Sequence, residues 1–393
     1  MHTHARTIVA SFFREHLSLI HAARVQLFCA AIGVVMAGHL LGVSRLARAL
    51  RGHGTHKAAL KRVDRLTGNG RIARESEVIA AALLRVLCKA SQRVVIAVDW
   101  SAVAPNGVFV ELRAAVAYAG MGRSLTVYQQ VYPKSKLGNR GAERALLELL
   151  HGCMPAGVPV IITTDAGFRR PWFKEVERFG WSWIGRVRSG SGVSRDGTHW
   201  EEASAWFTHA SGKACRWLDC WLTCRFRFVC DFVLYRGRTC STKRYGRAGR
   251  GSAKSSGKAR ASAREPWLLA HCAQLRNYRA DEIVALYRLR MQIEENFRDS
   301  KSIPLGMGLE ISQSRSAHRL HALLLIGTVA AFMLWHIGQL AETEGLHRRF
   351  KATTRVSREL SIISLAILLC ALEALPLTEP ALQALNGRLG LRS

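Results

Sequence analysis

The sequence is short of acidic residues. Among its 393 residues, 28 are Asp or Glu and 57 are Lys or Arg, which gives a formal net charge of +29. With 49% hydrophobic residues the chain can also build a core, and a folded protein this basic is typical of proteins that bind a polyanion, most often nucleic acid. The excess charge is concentrated in residues 1–90, with 14 Lys and Arg against 4 acids, and in residues 236–264, with 10 against none. We therefore expect the protein to bind DNA through more than one region of the chain.

Several motifs are also missing. None of the ten cysteines forms a CxxC pair, which argues against a zinc ribbon, and the five cysteines between 215 and 240 have spacings that fit no common metal site. Neither an HExxH metalloprotease motif nor a GxxxxGK[ST] ATP-binding loop is present.

Charged residues interrupt the apolar N-terminus, so it does not resemble a signal peptide, and unpaired thiols suit a reducing cytosol. We predict a cytoplasmic protein.

One apolar run has to be weighed as a membrane segment. Ala322–Ile337 is about 16 residues long, contains His336 and follows a basic amphipathic stretch. This is shorter than the roughly 20 residues that a membrane-spanning helix needs. We expect a buried core helix here and no membrane partner.

Residues 1–90 are predicted to be a helical DNA-binding domain. A helix over residues 44–50, with Ser44 as its N-cap, is followed by a glycine turn at 52–54 and a second helix capped by Thr55. The second helix carries three cations on one face, namely Lys57, Lys61 and Arg65. A helix, a glycine turn and a basic helix resemble a helix-turn-helix, whose second helix enters the major groove.

From residue 93 the hydrophobic pattern changes from helical to strand-like. Arg93–Asp99 and Val158–Thr164 are continuous apolar runs typical of buried strands. The predicted order of three strands, helix, strand, helix and strand indicates an α/β domain over residues 91–310. Residues 190–267 are predicted to be a β-rich insertion that ends in a Gly/Ser/Arg-rich loop lying on DNA, with a flexible surface loop as the alternative. Residues 311–393 are predicted to be helical.

The stretch from Tyr287 to Lys301 is predicted to form one helix that begins near Asp281. Spacings of three and four place a mixed set of polar side chains within an arc of about 80°: Tyr287, Arg290, Glu294, Arg298 and Lys301. Such a face suits a site that holds a metal ion beside a phosphate backbone. The alternative is a solvated face with the ion pairs Arg290–Glu294 and Glu294–Arg298.

Two aspartates supply partners for Glu294. Asp99 and Asp165 are each expected at the end of an apolar strand, and the carboxyl ends of strands are where sites form in open α/β sheets. Three carboxylates can hold two divalent ions, one activating a water or hydroxyl and the other stabilising the leaving oxygen of a phosphoryl displacement. Glu295 and Asp299 lie off the predicted face and rank below Glu294.

The residues now collected resemble a known family. The spacing of Tyr287, Arg290, Glu294 and Lys301 is identical to the signature of bacterial DDE transposases of the insertion-sequence-four family. That group includes the transposases of the composite tetracycline- and kanamycin-resistance transposons, and the chain is similar to the former. Four further segments carry the resemblance over most of the chain: KRVDRLTGN at 61–69, VDW at 98–100, TTDAGF at 163–168 and EPWLLA at 265–270.

The resemblance implies a ribonuclease-H-like catalytic core with the β-rich insertion, flanked by the N-terminal helical domain and the C-terminal helices. It implies that Asp99, Asp165 and Glu294 are the catalytic and metal-binding residues, with two Mg²⁺ ions that Mn²⁺ can replace. It further implies cut-and-paste transposition through a hairpin intermediate, with DNA at the transposon ends and at the target. A homodimer in the DNA-bound complex follows from the need to join two ends.

The resemblance also assigns DNA contacts. Tyr287, Arg290, Arg298 and Lys301 are expected at phosphates of the transposon end. Trp267 and Met291 are expected around a base that leaves the stack when the strand bends into a hairpin. For Trp267 the alternative is simple core packing.

Two other functions are kept as alternatives. A metal-dependent nuclease such as a resolvase would cleave without joining strands, and the signature and the basic insertion argue against it. An inactive or domesticated transposase would act only as a DNA-binding protein, and the intact Asp99, Asp165 and Glu294 argue against decay.

Overall fold

A computed structural model describes residues 3–16, 20–52, 54–88, 92–103, 107–237, 265–303, 306–354, 359–372 and 379–389. The chain divides into two compact units. The first consists of Met1–Pro159 and Gln292–Ser393, and the second of Val160–Met291. The functional domain boundaries at residues 90 and 310 stay predictions, because a division by compactness does not test them.

The chain begins with helices, as predicted. They are α1 (Thr3–His16), α2 (Ala22–Met36), α3 (Val43–Ala49), α4 (His56–Thr67) and α5 (Ile72–Leu87). The Thr55 cap is confirmed, because its hydroxyl accepts a hydrogen bond from the amide of Ala58 at 3.2 Å. The Ser44 cap is wrong: the Gly42 carbonyl accepts the first helical bond from the amide of Leu46, so α3 begins one residue before Ser44.

Three antiparallel strands follow in the first unit. They are β1 (Val94–Ala102), β2 (Phe109–Ala117) and β3 (Leu125–Pro133), with β2 in the middle, and α6 (Arg140–Cys153) comes after them. The expectation that Asp99 ends its strand is wrong. β1 continues to Ala102 because its pairing with β2 continues there, and Asp99 marks instead the point where burial along β1 decreases.

The second unit is built on a mixed sheet. Its elements are β4 (Val160–Thr164), α7 (Arg170–Arg178), β5 (Ser182–Val187), β6 (Gly192–Ser194), β7 (Glu201–Glu202), α8 (Ala203–Trp206), β8 (Cys215–Leu222), β9 (Phe228–Tyr235), β10 (Trp267–His271) and α9 (Ala280–Arg288). The strand order is β4-β5-β10-β9-β8-β6-β7, and β4 and β5 are parallel. Residues 190–237 are rich in strands, as predicted, and these strands extend the sheet through the pairing of β9 with β10. That they form an insertion in a catalytic domain stays a prediction. The predicted Gly/Ser/Arg-rich loop lies outside the described residues.

The helix predicted through the signature is not continuous. α9 ends at Arg288, a 3₁₀ turn covers Leu289–Met291, and α10 (Gln292–Lys301) follows. Its predicted N-cap at Asp281 is also wrong, because the Glu282 carboxylate accepts the amide hydrogen of Arg279 at 2.7 Å and makes Arg279 the cap. The single polar face was predicted from the rotation of about 100° per residue in a continuous α-helix. A 3₁₀ turn advances about 120° per residue, so side chains before and after the turn do not follow one periodicity.

The chain closes with α11 (Ala317–Thr343), α12 (Ile362–Ala371) and α13 (Glu379–Arg388). Ser316 and Ser361 cap α11 and α12 through their hydroxyls. α11 contains the apolar run and is, among the described residues, the one helix long and apolar enough to cross a membrane. However, 94% of its most apolar window is buried in the protein, which is the packing of a core helix.

Gly338 allows α11 and α12 to approach each other closely. A Cβ atom at this position would lie 2.2 Å from the carbonyl oxygen of Ile362. We predict that Gly338→Ala lowers the free energy of unfolding by about 1–3 kcal/mol, because the helices must separate to make room. Gly152→Ala in α6 is the matched control, since a Cβ there has open space around it and a helical Ala is favoured over Gly. Equal melting temperatures for the two variants would contradict the close packing of α11 on α12.

Candidate active site

In the first unit, α10 lies on one face of β1 and β2. Ile293 and Phe297 are buried against Ala97 of β1 and Ala115 of β2. Successive strand residues point to opposite faces, so Asp99 and Ser101 share the face of Ala97. The packing of α10 therefore takes place on the strand face that carries Asp99.

Asp99 and Glu294 both retain contact with solvent. Asp99 is partly exposed, and its Oδ1 accepts a hydrogen bond from the amide of Trp100 at 2.8 Å. Glu294 follows the buried Ile293 in the first turn of α10 and is exposed. An exposed carboxylate in the first helical turn is favoured electrostatically by the helix dipole.

The two neighbouring acids of α10 have structural partners. Glu295 forms an ion pair with Arg298. Asp299 is buried and binds Arg123 through two contacts, one of them 3.0 Å from Nη2 to Oδ1. Burial raises the pKa of Asp299, and the Arg123 guanidinium opposes this shift. Glu294 is the most exposed of the three acids of this helix.

Lys301 is the last residue of α10 and lies on the face of β1 that carries Asp99. Its ammonium donates to the Ser101 hydroxyl at 2.7 Å and lies 3.1 Å from the carboxylate of Glu111. Burial lowers the pKa of Lys301, whereas the carboxylates of Glu111 and Asp99 favour the charged form. The signature lysine is thus held near Asp99 by side chains of β1 and β2.

The second unit contains Asp165 and Tyr287 among the predicted site residues. Asp165 directly follows β4 as expected, and its Oδ1 accepts the amide hydrogen of Gly167 at 2.8 Å. Burial raises the pKa of Tyr287, while the cations Arg290 and Arg186 favour its ionised form and the charge of Asp165 opposes it. The ordinary pKa of a phenol already lies well above physiological pH, so Tyr287 is neutral there, and burial strengthens this preference.

Aromatic and sulfur contacts surround Tyr287. Trp267 meets its ring edge-to-face with centroids 5.2 Å apart, and the Arg290 guanidinium lies 5.8 Å from the ring centroid. Met291 has its sulfur 3.6 Å from Nη2 of Arg290 and is 37% exposed. Trp267 is partly exposed.

The signature residues therefore do not form one solvated helix face. Tyr287 and Arg290 are buried in the second unit, whereas Glu294 is exposed in the first. Arg298 is paired with Glu295. The alternative of a plain charged surface fails for Tyr287 and Arg290, because a solvated face does not bury a phenol and a guanidinium.

Some residues around the site were not singled out from the sequence. They are Ser101, Glu111, Arg113 and Arg186. Glu111 and Arg113 had a signal, since two opposite charges stand at alternate positions of an otherwise apolar strand. Arg186 lies on β5, 3.4 Å from the Glu265 carboxylate, and burial lowers its pKa. With Arg290, it is the second cation near Tyr287.

Among the described residues, no group of three or more His, Cys, Asp or Glu side chains is close enough together to hold a metal ion. The three-carboxylate site stays a prediction. Carboxylate oxygens are nevertheless the ligands that Mg²⁺ prefers, so the chemistry of Asp99, Asp165 and Glu294 fits such an ion.

The basic helix of the N-terminal region is exposed as predicted. Lys57, Lys61 and Arg65 all face solvent on α4. A groove of about 690 Å³ runs between α3, α4 and residues 311–319, with Lys61, Arg45 and Arg48 among its lining residues. Positive charge is therefore gathered along an open groove, where it can meet an extended anion.

Comparison with known families decides the class of protein. Residues 91–333 match the sequence model of the family described as the transposase DDE domain, and the match includes Asp99, Asp165, Glu294 and Lys301. The chain belongs to this family. As a DDE transposase it is an enzyme that acts on DNA.

The DDE transposase is also similar to a solved structure, the piggyBac transposase synaptic complex with hairpin DNA. The sequence identity is 10% and the TM-score 0.40, over 98% of this chain and 81% of that chain. No curated protein matches the sequence. The family assignment rests on the sequence match alone.

The acids of α10 in this transposase are predicted to differ in their effect on stability. Asp299→Ala should lower the free energy of unfolding by about 3 kcal/mol, because it leaves Arg123 without its buried partner. Glu294→Gln should change it by less than about 0.5 kcal/mol, because the side chain is exposed. Chemical denaturation of both variants measures this. A Glu294→Gln protein destabilised as much as Asp299→Ala would show that Glu294 is structural.

Proposed function

We propose that this DDE transposase performs cut-and-paste transposition of its own insertion sequence and belongs to the insertion-sequence-four group, close to the transposase of the composite tetracycline-resistance transposon. The observation that carries the proposal is the undisturbed spacing of Tyr287, Arg290, Glu294 and Lys301 within the matched residues 91–333. The proposed catalytic core is ribonuclease-H-like. Its support is the element order β1-β2-β3-α6-β4-α7-β5, in which an antiparallel trio precedes a parallel pair.

In this proposal Asp99, Asp165 and Glu294 are the catalytic acids and hold two Mg²⁺ ions, for which Mn²⁺ can substitute. When bound, such ions lower the pKa of an attacking water and stabilise the leaving oxygen of the phosphodiester. The exposure of Glu294 and the solvent contact of Asp99 support this role, since a metal ligand must reach its ion. Carboxylate oxygens supply the hard donors that the ions require.

The cations of the signature position the DNA strand. Lys301, on the side of β1 that carries Asp99, offers an ammonium to a phosphate of the cleaved strand. Arg290 stands beside Tyr287 and offers a planar guanidinium, which matches phosphate oxygens in pairs. Arg298 is proposed to share this task at the end of α10, where it is partly exposed.

One site is proposed to carry out all the steps. Water nicks the transposon end, and the freed 3′-hydroxyl attacks the opposite strand to form a hairpin. A second water opens the hairpin, and the 3′ end is joined to target DNA. Each step is an in-line attack on a phosphodiester, so the same acids serve throughout. The partly exposed Trp267 and Met291 beside the Tyr287–Arg290 pair support their proposed place around an unstacked base.

The partners follow from the reaction. Two transposon ends have to be brought together, so we propose a homodimer on DNA in the bacterial cytoplasm, associated with the nucleoid. The exposed cations Lys57, Lys61 and Arg65 are proposed to bind the ends. Arg45 and Arg48 line the groove next to α4 and are placed to contact the adjacent phosphates.

A cleavage assay tests the proposal directly. The full-length protein is incubated with Mg²⁺ and duplexes that carry the inverted repeats flanking its gene, with a target plasmid added. We expect nicked ends, hairpins and joined products, and we expect Glu294→Ala to abolish all three while binding the ends as tightly as the wild type. Removal of Mg²⁺ with a chelator should stop the wild-type reaction without releasing the DNA.

Three outcomes would contradict this. Cleavage by Glu294→Ala would remove Glu294 from the catalytic acids. Cleavage without joined products would identify a nuclease. Tight binding of the ends by the wild type without any cleavage would identify an inactive transposase that acts as a DNA-binding protein.

End recognition by α4 is tested separately. Lys57→Gln combined with Arg65→Gln should reduce the slope of log affinity against log salt by about 0.9 for each lost phosphate contact. Arg144→Gln with Lys174→Gln is the matched control, because it removes the same charge from exposed positions on α6 and α7. Fluorescence anisotropy over a salt series measures the slopes. An equal slope for the double variant and the wild type would refute the helix-turn-helix role of α4.

A further inference from the structure

A fully buried carboxylate lies beneath the signature lysine. Glu111 of β2 is 0% exposed, stands opposite Ser101 in the β1–β2 register, and therefore points to the same sheet face. Its Oε1 lies 3.1 Å from Nζ of Lys301, and its Oε2 lies 2.8 Å from Nη2 of Arg113. One buried anion thus holds two cations.

The rest of the cluster fixes these groups in place. Arg113 stands opposite Asp99 in the register and donates to the side chains of Asn296 and Ser300 on α10. The ring of Phe297 lies against both cations, with its centroid 4.4 Å from Nζ of Lys301 and 4.5 Å from the Arg113 guanidinium carbon. Because a buried ion is costly without partners, Glu111 confines Lys301 to a narrow range of positions.

The Lys301 ammonium has enough hydrogen-bond donors to bind the protein and a ligand at the same time. An ammonium has three hydrogen-bond donors. Ser101 accepts one of them, the Glu111 carboxylate lies at ion-pair distance from the ammonium, and a remaining donor can meet a phosphate oxygen. A lysine restrained in this way loses little side-chain entropy on binding DNA and presents its charge in one direction.

We propose that Glu111 is a positioning residue for Lys301: its carboxylate holds the ammonium on the face of β1 that carries Asp99, where the ammonium binds a phosphate of the strand being cut. This inference rests on the proposed transposase activity. Glu111 itself does not touch the DNA, since it is fully buried beneath two cations.

The alternative role for Glu111 is that of a purely structural brace between β2 and α10. The two roles differ in how Glu111 and Lys301 depend on each other. A positioning residue has no effect once the residue it positions is removed, whereas a brace weakens the protein whether or not Lys301 is present.

A double-mutant cycle on the full-length protein separates the two. Glu111→Gln, Lys301→Met and their combination are compared for the rate of first-strand nicking on end DNA with Mg²⁺. We expect each single variant to be slowed by about 10–100-fold, the effect of a misplaced reacting group, and the double variant to be no slower than Lys301→Met. Rates that multiply in the double variant, or a wild-type rate for Glu111→Gln, would overturn the proposal.

Two further variants distinguish an effect that acts through Lys301 from a loss of folded protein. Arg123→Gln removes the partner of buried Asp299 on the same helix without touching Lys301, so it should lower the melting temperature but retain nicking below that temperature. Ser101→Ala removes only a hydrogen bond to Lys301 and should slow nicking about fivefold, an effect that disappears in the Lys301→Met background. Persistence of the Ser101→Ala effect in that background would also overturn the proposal.

The proposed function and this inference fail in different ways. A wild-type protein that does not nick end DNA would refute the transposase activity. A wild-type protein that nicks, together with multiplying effects of Glu111→Gln and Lys301→Met, would refute only the positioning role.

Discussion

One fully buried carboxylate, that of Glu111, organises the side chains around Asp99, because its negative charge has to be balanced. Glu111 sits in a position from which water is excluded, so its charge has to be met by nearby cations. Arg113 meets it from the same strand and Lys301 from the end of α10. Together with the apolar contacts of Ile293 and Phe297, these ionic contacts set how α10 lies on β1 and β2. The exposed Glu294 and the partly exposed Asp99 depend on that placement.

The signature of this transposase family is divided between two environments. Tyr287 and Arg290 are buried beside Trp267 in the second unit, where burial raises the pKa of the phenol. Glu294 and Lys301 belong to α10 in the first unit, and a 3₁₀ turn over Leu289–Met291 comes before that helix. A guanidinium and an ammonium suit the same ligand, a phosphate backbone, but their supports differ: aromatic packing for Arg290 and a buried carboxylate for Lys301.

Helix α4 carries its cationic side chains on the surface rather than in the core. α4 presents Lys57, Lys61 and Arg65 to solvent, and the groove between α3, α4 and residues 311–319 adds further cations. The long apolar helix α11 shows the opposite case, since its hydropathy suits a membrane but its surface is covered by protein. The net charge and hydropathy of a segment thus indicate which surroundings it favours, and tertiary packing decides which surroundings it has.

The sequence by itself determined the secondary structure of most of the described chain, the identity of the candidate acids and the family. These depend on short-range periodicity, on strand-end residues such as Asp165 and on fixed spacings such as Tyr287 to Lys301. Only the tertiary structure decided that Asp99 lies inside β1, that a turn interrupts the signature helix, and that Glu111 is the partner of Lys301. The physical reason is that burial and ion pairing join residues far apart in the chain, as Ser101 and Lys301 are, whereas periodicity reports only neighbours.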